Sequence, residues 1–293
     1  MPRLGTILSI SAAANGTGMS GGGGGGGGGL PVTTDLWGHW DAAEGITKDG
    51  SNLISQWEDQ SGNGNHWEQS TGSDQPLFVA DAGADLNNLP AVSFAGTYLS
   101  PDWMYLTGTG TTFYESGDSG AYTIFFVFTD MDATPSNLGG VIQGQYDRSP
   151  STDPTYANFM IYKVNGNGAT RYLGWSTVAH LGNMSHNGPH IGDANPRIIG
   201  ITCHGSFNAG TPESWGANID NGTETCYPTL CQGYAATSTV VASDYLYLNK
   251  QLGYIVPNGL VYKLAEMVLY KGALSNADFN TMETYLNTKY AVY

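Results

Sequence analysis

Four oxygen-bearing side chains alternate in one short stretch of the chain: Asp59, Ser61, Asn63 and Asn65. A calcium loop presents its ligands in this alternating way, but tight binding also requires a bidentate Glu and more carboxylates than this stretch holds. Asp and Asn cap their own backbone in turns, and Gly62 and Gly64 between them are free to take left-handed φ. The stretch is therefore read first as a structural turn, with Asp59, Asn63 and Asn65 as the calcium alternative. Paired carboxylates would offer a second chemistry, since a glycosidic bond is cleaved between two carboxyl groups, about 5–5.5 Å apart when configuration is retained. Asp220 and Glu224 come nearest to that spacing. The Asn221-Gly222 dipeptide between them reads as a hairpin turn, which would put the two on opposite arms. His180, His186, His190 and His204 gather in the central region, where polar surroundings point to solvated rings. Cys203-His204 with Cys226 and Cys231 supplies four zinc-type ligands, at spacings that match no compact zinc site. There is no H-E-x-x-H or G-x-x-x-x-G-K stretch. The expectation is a chain with no catalytic residues that is not an enzyme, and with no cofactor beyond the calcium alternative.

Binding is the remaining chemistry. The chain holds Trp 7 and Tyr 18, and flat aromatic faces beside Asp and Asn are what sugar rings stack on. Trp37, Trp57 and Tyr270 alternate with polar residues in strand-like runs and are read as core. Trp103, Tyr146, Tyr156, Trp175 and Trp215 are the candidates for an exposed glycan-binding surface.

Composition limits the partners. In 293 residues only 12% are charged, and Lys+Arg 10 against Asp+Glu 25 gives a formal net charge of −15. Such a surface cannot neutralise a phosphate backbone or seek an anionic membrane, so neither nucleic acid nor membrane is expected as a partner. No run of about 18 apolar residues exists to span a bilayer. Three cysteines exclude a disulfide framework, leaving a Cys226–Cys231 bridge and free thiols both open. Hydrophobic residues at 40%, Pro 13 and no Gly-X-Y period exclude a collagen and a wholly disordered chain.

The elements that must position these residues follow from short β-branched and aromatic runs separated by Gly, Asn, Asp and Pro. Strands are expected at Tyr122–Thr129, Val141–Gln143, Phe159–Val164, Arg171–Trp175, Ile198–Cys203, Trp215–Ile219, Tyr245–Leu248 and Leu264–Tyr270. Asn165-Gly166 and Asn221-Gly222 mark hairpins. No strand–helix–strand alternation argues for a parallel sheet. Ser275 and Asp278 form a capping box, followed by Phe279, Met282, Leu286 and Tyr290 at helical spacing. One C-terminal helix is expected, sealing an edge or an end of the sandwich.

Two units are expected, an arm over 1–29 and a folded domain over 30–293. In the arm, Arg3 and the weakly apolar run from Leu4 to Ala12-Ala13-Ala14 imitate a secretory signal, but Gly5, Thr6, Ser9 and Ser11 dilute it, and retention is expected. The arm ends in Gly21, Gly22, Gly23, Gly24, Gly25, Gly26, Gly27, Gly28 and Gly29. Nine glycines make a flexible linker when nothing holds them. They also permit close approach of another backbone, and the tract is read as an anchor gripped by a neighbouring subunit.

Three stretches in order resemble the concanavalin A-like, laminin-G-type jelly-roll domains of bacterial surface proteins and phage structural proteins. The first runs from Leu36-Trp37 through Trp40-Asp41-Ala42, then Ser55-Gln56-Trp57-Glu58-Asp59-Gln60-Ser61-Gly62-Asn63-Gly64-Asn65, to Gln75-Pro76. The second is Leu89-Pro90-Ala91-Val92-Ser93-Phe94 with Tyr98-Leu99, and the third Ala265-Glu266-Met267-Val268-Leu269-Tyr270 with Leu274-Ser275 and Tyr285-Leu286. The resemblance implies an all-β concanavalin A-like jelly-roll β-sandwich with a short C-terminal helix and an extended Gly-rich arm. Sugar-cleaving relatives of the laminarinase type carry E-x-D-x-x-E, whereas Asn218 stands first in the nearest stretch here. The function this implies is that of a tailed-phage virion protein, a capsid decoration, fibre or tail adhesin. It would be a homo-oligomer, docked on other virion proteins through its arm and offering a lectin-like domain to host surface glycans. A secreted or cell-surface carbohydrate-binding module is the alternative.

Overall fold

The computed structural model describes residues 29–97, 100–106, 121–129, 139–145, 157–165, 171–177, 195–204, 216–219, 224–226, 245–250 and 260–293. The first strands are β1 (Leu36–Asp41), β2 (Ile46–Lys48), β3 (Ile54–Trp57), β4 (Trp67–Glu68), β5 (Leu77–Val79) and β6 (Ala91–Phe94). Then come β7 (Gly96–Thr97), β8 (Ser100–Pro101), β9 (Met104–Leu106), β10 (Ala121–Thr129), β11 (Gly139–Gln145) and β12 (Ala157–Asn165). The chain continues through β13 (Arg171–Thr177), β14 (Arg197–His204), β15 (Gly216–Ile219), β16 (Glu224–Cys226), β17 (Tyr245–Leu248) and β18 (Tyr262–Tyr270) to α1 (Asn276–Tyr290).

These strands form two large antiparallel sheets, with β7 and β8 pairing separately. One runs β16-β15-β14-β10-β18-β6-β5, and the other β13-β12-β11-β17-β9-β4-β3-β2. In the first sheet β18 lies at the centre. One of its edges pairs with β10, while the other is shared, Tyr262–Leu264 with β6 and Glu266–Tyr270 with β1. All eight strands expected from the sequence are present, six of them longer than expected, β17 with the expected bounds and β15 described from Gly216. The hairpins form too, pairing Asn165 with Arg171 and Ile219 with Glu224, the connections falling outside the described residues.

Alternation decides which side chains meet between the sheets. Trp40, Val92, Phe94, Ile124, Phe126, Met267 and Leu269 of the first sheet pack on Trp57, Trp67, Met104, Leu106, Ile142, Leu246 and Leu248 of the second. Trp40 and Trp67 stand 5.4 Å apart, centroid to centroid. The fold is thus a β-sandwich with one C-terminal helix.

The helix starts and stops as its sequence dictates. Ser275 Oγ accepts from Asp278 N at 3.2 Å and donates to the Asp278 carboxylate at 2.7 Å. Ala291, at φ 53, ends the helix with its N–H on Asn287 O. Phe279, Met282, Leu286 and Tyr290 are buried as the spacing requires, but they seal neither an edge nor an end of the sandwich. They cover the outer face of the first sheet, where Phe125, Val127, Val268 and Tyr270 also point outward and need cover. Burying such a side chain contributes about 1.5–3 kcal/mol, which favours a whole apolar face over an edge. The fit is close. Phe279 lies 4.7 Å from Phe125, and a Cβ on Gly200 would fall 2.2 Å from the Phe279 ring.

Candidate functional site

The loop from Asp59 to Asn65 closes on itself. Asp59 Oδ1 accepts from His39 N and Ser61 N, both at 2.9 Å. Its Oδ2 accepts from Ser61 Oγ at 2.7 Å and Asn65 N at 3.0 Å. Gly62 and Gly64 take φ of 87° and 76°, as expected. Asn63 and Asn65 donate their amides to carbonyls of β1, and Asn65 O receives Trp40 Nε1 at 2.8 Å. Each Asp59 oxygen already holds two donors from the protein, and the loop forms a turn that clamps β1.

A second polar cluster lies under α1. His39 and Asp41 on β1 and Glu266 on β18 offer ligand atoms within 4.8 Å of one another. Glu266 is 0% exposed and Asp41 4%. Glu266 Oε1 bonds His39 Nε2 at 2.8 Å; an ionised carboxylate only accepts, so Nε2 carries the proton. Its Oε2 accepts from Lys289 Nζ at 2.7 Å and Tyr290 OH at 2.9 Å. Lys289 Nζ also donates to Asp41 Oδ2, while Asp41 Oδ1 accepts from Ala43 N. An ammonium thus stands against both carboxylates, where a metal ion would otherwise balance them. Burial pushes the Glu266 carboxyl up, but the His39 hydrogen bond and the Lys289 charge outweigh it and hold it below the ordinary range. Burial likewise opposes the Lys289 charge, and Glu266 and Asp41 more than restore it. The cluster joins the helix to β1 and β18. A Glu inside the apolar run Leu264–Tyr270 is the sequence signal that could have revealed it, because a buried carboxylate needs a partner.

The outer face of the second sheet is different. Tyr105 on β9 and Tyr247 on β17 are direct cross-strand partners, half-buried, on the face opposite Met104, Leu106, Leu246 and Leu248. Trp103 sits on them, its ring centroid 5.5 Å from Tyr105 and 5.8 Å from Tyr247. Its backbone is pinned by Trp103 N to Asp74 O at 2.9 Å and by Gln69 Nε2 to Trp103 O at 3.0 Å. Trp103 Nε1 donates to Asp74 Oδ2 at 3.2 Å. Asp102 exchanges hydrogen bonds with Ala95, and its carbonyl accepts from the buried Asn249. Asn249 takes φ 58, a left-handed value that Asn tolerates, and so redirects the chain after β17. The next residue, Lys250, lies with Nζ 3.3 Å from the centre of the Trp103 ring and 5.4 Å from that of Tyr247. Burial depresses Lys250 to about 8 against a smaller opposing effect of Asp74. Burial raises Asp102 to about 6, the Ala95 N–H opposing and Asp74 assisting.

Of the five aromatic candidates, Trp103 alone has a described side chain, and it stands at the centre of this platform. Trp175 lies on β13, its side chain outside the described residues, as are Tyr146, Tyr156 and Trp215 altogether. Gly21–Gly28 also lie outside; Gly29 is exposed. So do His180, His186, His190, Cys231 and the side chains of Cys203, His204 and Cys226. The sequence reading missed Tyr105, Tyr247 and Lys250.

No family model and no curated protein matches the chain. Solved structures do. An arabinofuranosidase complexed with arabinofuranosyl-α-1,2-xylobiose matches with a TM-score of 0.54 and 18% identity over 81% of this chain and 51% of that one. A GH54 α-L-arabinofuranosidase soaked with a cyclic sulfate inhibitor gives 0.48 and 18%, over 82% and 52%. The binding domain of Paraclostridial Mosquitocidal Protein 1 gives 0.45 and 11%, over 87% and 52%. The chain spans about half the length of each. It therefore shares a β-sandwich fold with part of a carbohydrate-processing protein. The expectation that the chain is not an enzyme is corrected by this likeness to a glycosidase. That expectation rested on a missing linear motif, and in a many-stranded sandwich two carboxylates can meet from strands far apart in sequence.

Proposed function

We propose that the chain recognises a glycan through the Trp103, Tyr105 and Tyr247 platform on the outer face of the second sheet. The carrying observation is the ring cluster itself: three half-buried aromatics, held by fixed backbone, beside Asp74, Asp102 and Lys250. Such a surface gives a sugar ring an apolar face to stack on and polar groups to fix its hydroxyls. The wider setting we propose is a virion, with the domain displayed and the arm docked on other virion proteins. The jelly-roll resemblance of the three stretches and the nine-glycine tract support that setting.

Trp103→Ala is expected to weaken glycan binding about tenfold or more while the fold, read by circular dichroism, is kept. Unchanged binding of every bound glycan would remove the platform reading. Sugar release from a polysaccharide panel, assayed on the same preparations, separates recognition from recognition followed by cleavage. For the setting, deleting residues 1–29 is expected to leave a folded domain that no longer joins its assembly, and undiminished incorporation would refute the anchor.

A further inference from the structure

Lys250 is unusual among the charged groups of the described residues. Its ammonium is half-buried over Trp103, yet among the described residues it makes no hydrogen bond and no ion pair there. The neighbouring carboxylates are engaged elsewhere. Asp74 takes Trp103 Nε1 and Ser73 Oγ, and Asp102 takes Ala95 N. The other titratable groups of the described residues on this face are the Tyr105 and Tyr247 phenols and Glu68, the cross-strand partner of Tyr105. A partly desolvated cation balanced only by the smaller Coulombic effect of Asp74 gains more from an anion than an exposed lysine does. The position of Nζ matters as well. At 3.3 Å from the ring centre it covers the Trp103 face that a stacked sugar would use. A neutral sugar must displace this contact, whereas an acidic one can exploit it.

Resting on the glycan reading above, we infer that the platform takes a carboxylate-bearing sugar, its acid group on Lys250 Nζ and its ring against the Trp103, Tyr105 and Tyr247 cluster. The pH dependence follows. Lys250 loses its charge as pH rises through about 8, so binding weakens there. Asp102 takes up a proton as pH falls through about 6, which removes a repelling charge and strengthens binding.

The test uses the full chain and two matched probe pairs: trigalacturonate with its carboxyl-reduced trimer, and sialyllactose with lactose. Calorimetry at pH 6 is expected to show one acidic probe bound about tenfold or more tighter than its neutral counterpart. Lys250→Met should abolish that preference, Lys250→Arg should keep it, and added salt or pH 9 should diminish it. Equal binding of acidic and neutral members in both pairs would overturn the acidic-sugar inference and leave the platform reading standing. Preferential acid binding that survives Lys250→Met would overturn it as well. Binding of no probe by the wild-type chain would overturn the inference. Binding unaffected by Trp103→Ala would overturn the platform with it.

Discussion

Lys289→Met is expected to destabilise the sandwich by about 3–5 kcal/mol in chemical denaturation, because it strips the cation from two buried carboxylates. Glu266 is fully buried and Asp41 nearly so, and both take a hydrogen bond from Lys289 Nζ. With the ammonium gone, the two negative charges are left close together, and His39 and Tyr290 can compensate only at Glu266. Combining Lys289→Met with Asp41→Asn and Glu266→Gln should recover much of the loss, since exchanging a buried ionic set for neutral groups is far cheaper than orphaning one. A loss below about 1 kcal/mol would show that the cluster does not hold the helix. The wild-type pH profile carries the same signature. Glu266 is held below its ordinary 4.5, so its contribution is complete above that value and is lost as pH falls through the lower folded value. Lys289 is held above its ordinary 10.5, so its contribution is complete below that value and is lost as pH rises through the higher folded one. The stability plateau from this cluster thus lies between the two.

Asp59→Ala is expected to cost about 3 kcal/mol or more. Its four accepted hydrogen bonds include those of His39 N in β1 and Asn65 N, both in buried surroundings. Each orphaned donor costs about 1–3 kcal/mol. The effect should spread, because Asn65 O holds the Trp40 indole and Asn65 Nδ2 holds Trp37 O. Near-ultraviolet circular dichroism should therefore lose tryptophan signal in Asp59→Ala, with Asp59→Asn intermediate. A variant of wild-type stability and spectrum would show that the loop folds without its carboxylate.

How far the sequence foretells this molecule depends on the length of each element. The run Tyr122–Thr129 declares a strand by itself, and Ser275 with Asp278 declares a helix start, because propensity, capping and apolar period agree within a few residues. Strands such as β4 and β9, two and three residues long, carry no period to read. That is why the platform escaped notice. Trp103 was noticed by its type, but Tyr105 and Tyr247 become neighbours only through the pairing of β9 with β17. Lys250 reaches them only because Asn249 turns left-handed. The buried ionic cluster was hidden for the same reason, its members coming from β1, β18 and the last turn of α1. Asp59 shows the converse: the residue stood out as part of a turn, and its carboxylate holds that turn to β1 through His39 N.

The split edge of β18 has a consequence for how the chain reaches this state. The strand that completes the first sheet is bound to β1 by contacts such as His39 with Glu266, 227 residues apart. Closing so long a loop costs entropy before the contact repays it, and topologies built on such pairs fold slowly. During synthesis β1 waits with one flank bare until nearly all the described strands have been made. The tight Asp59 clamp, formed within a few dozen residues of β1, gives that waiting strand a local partner and lessens its exposure to other chains.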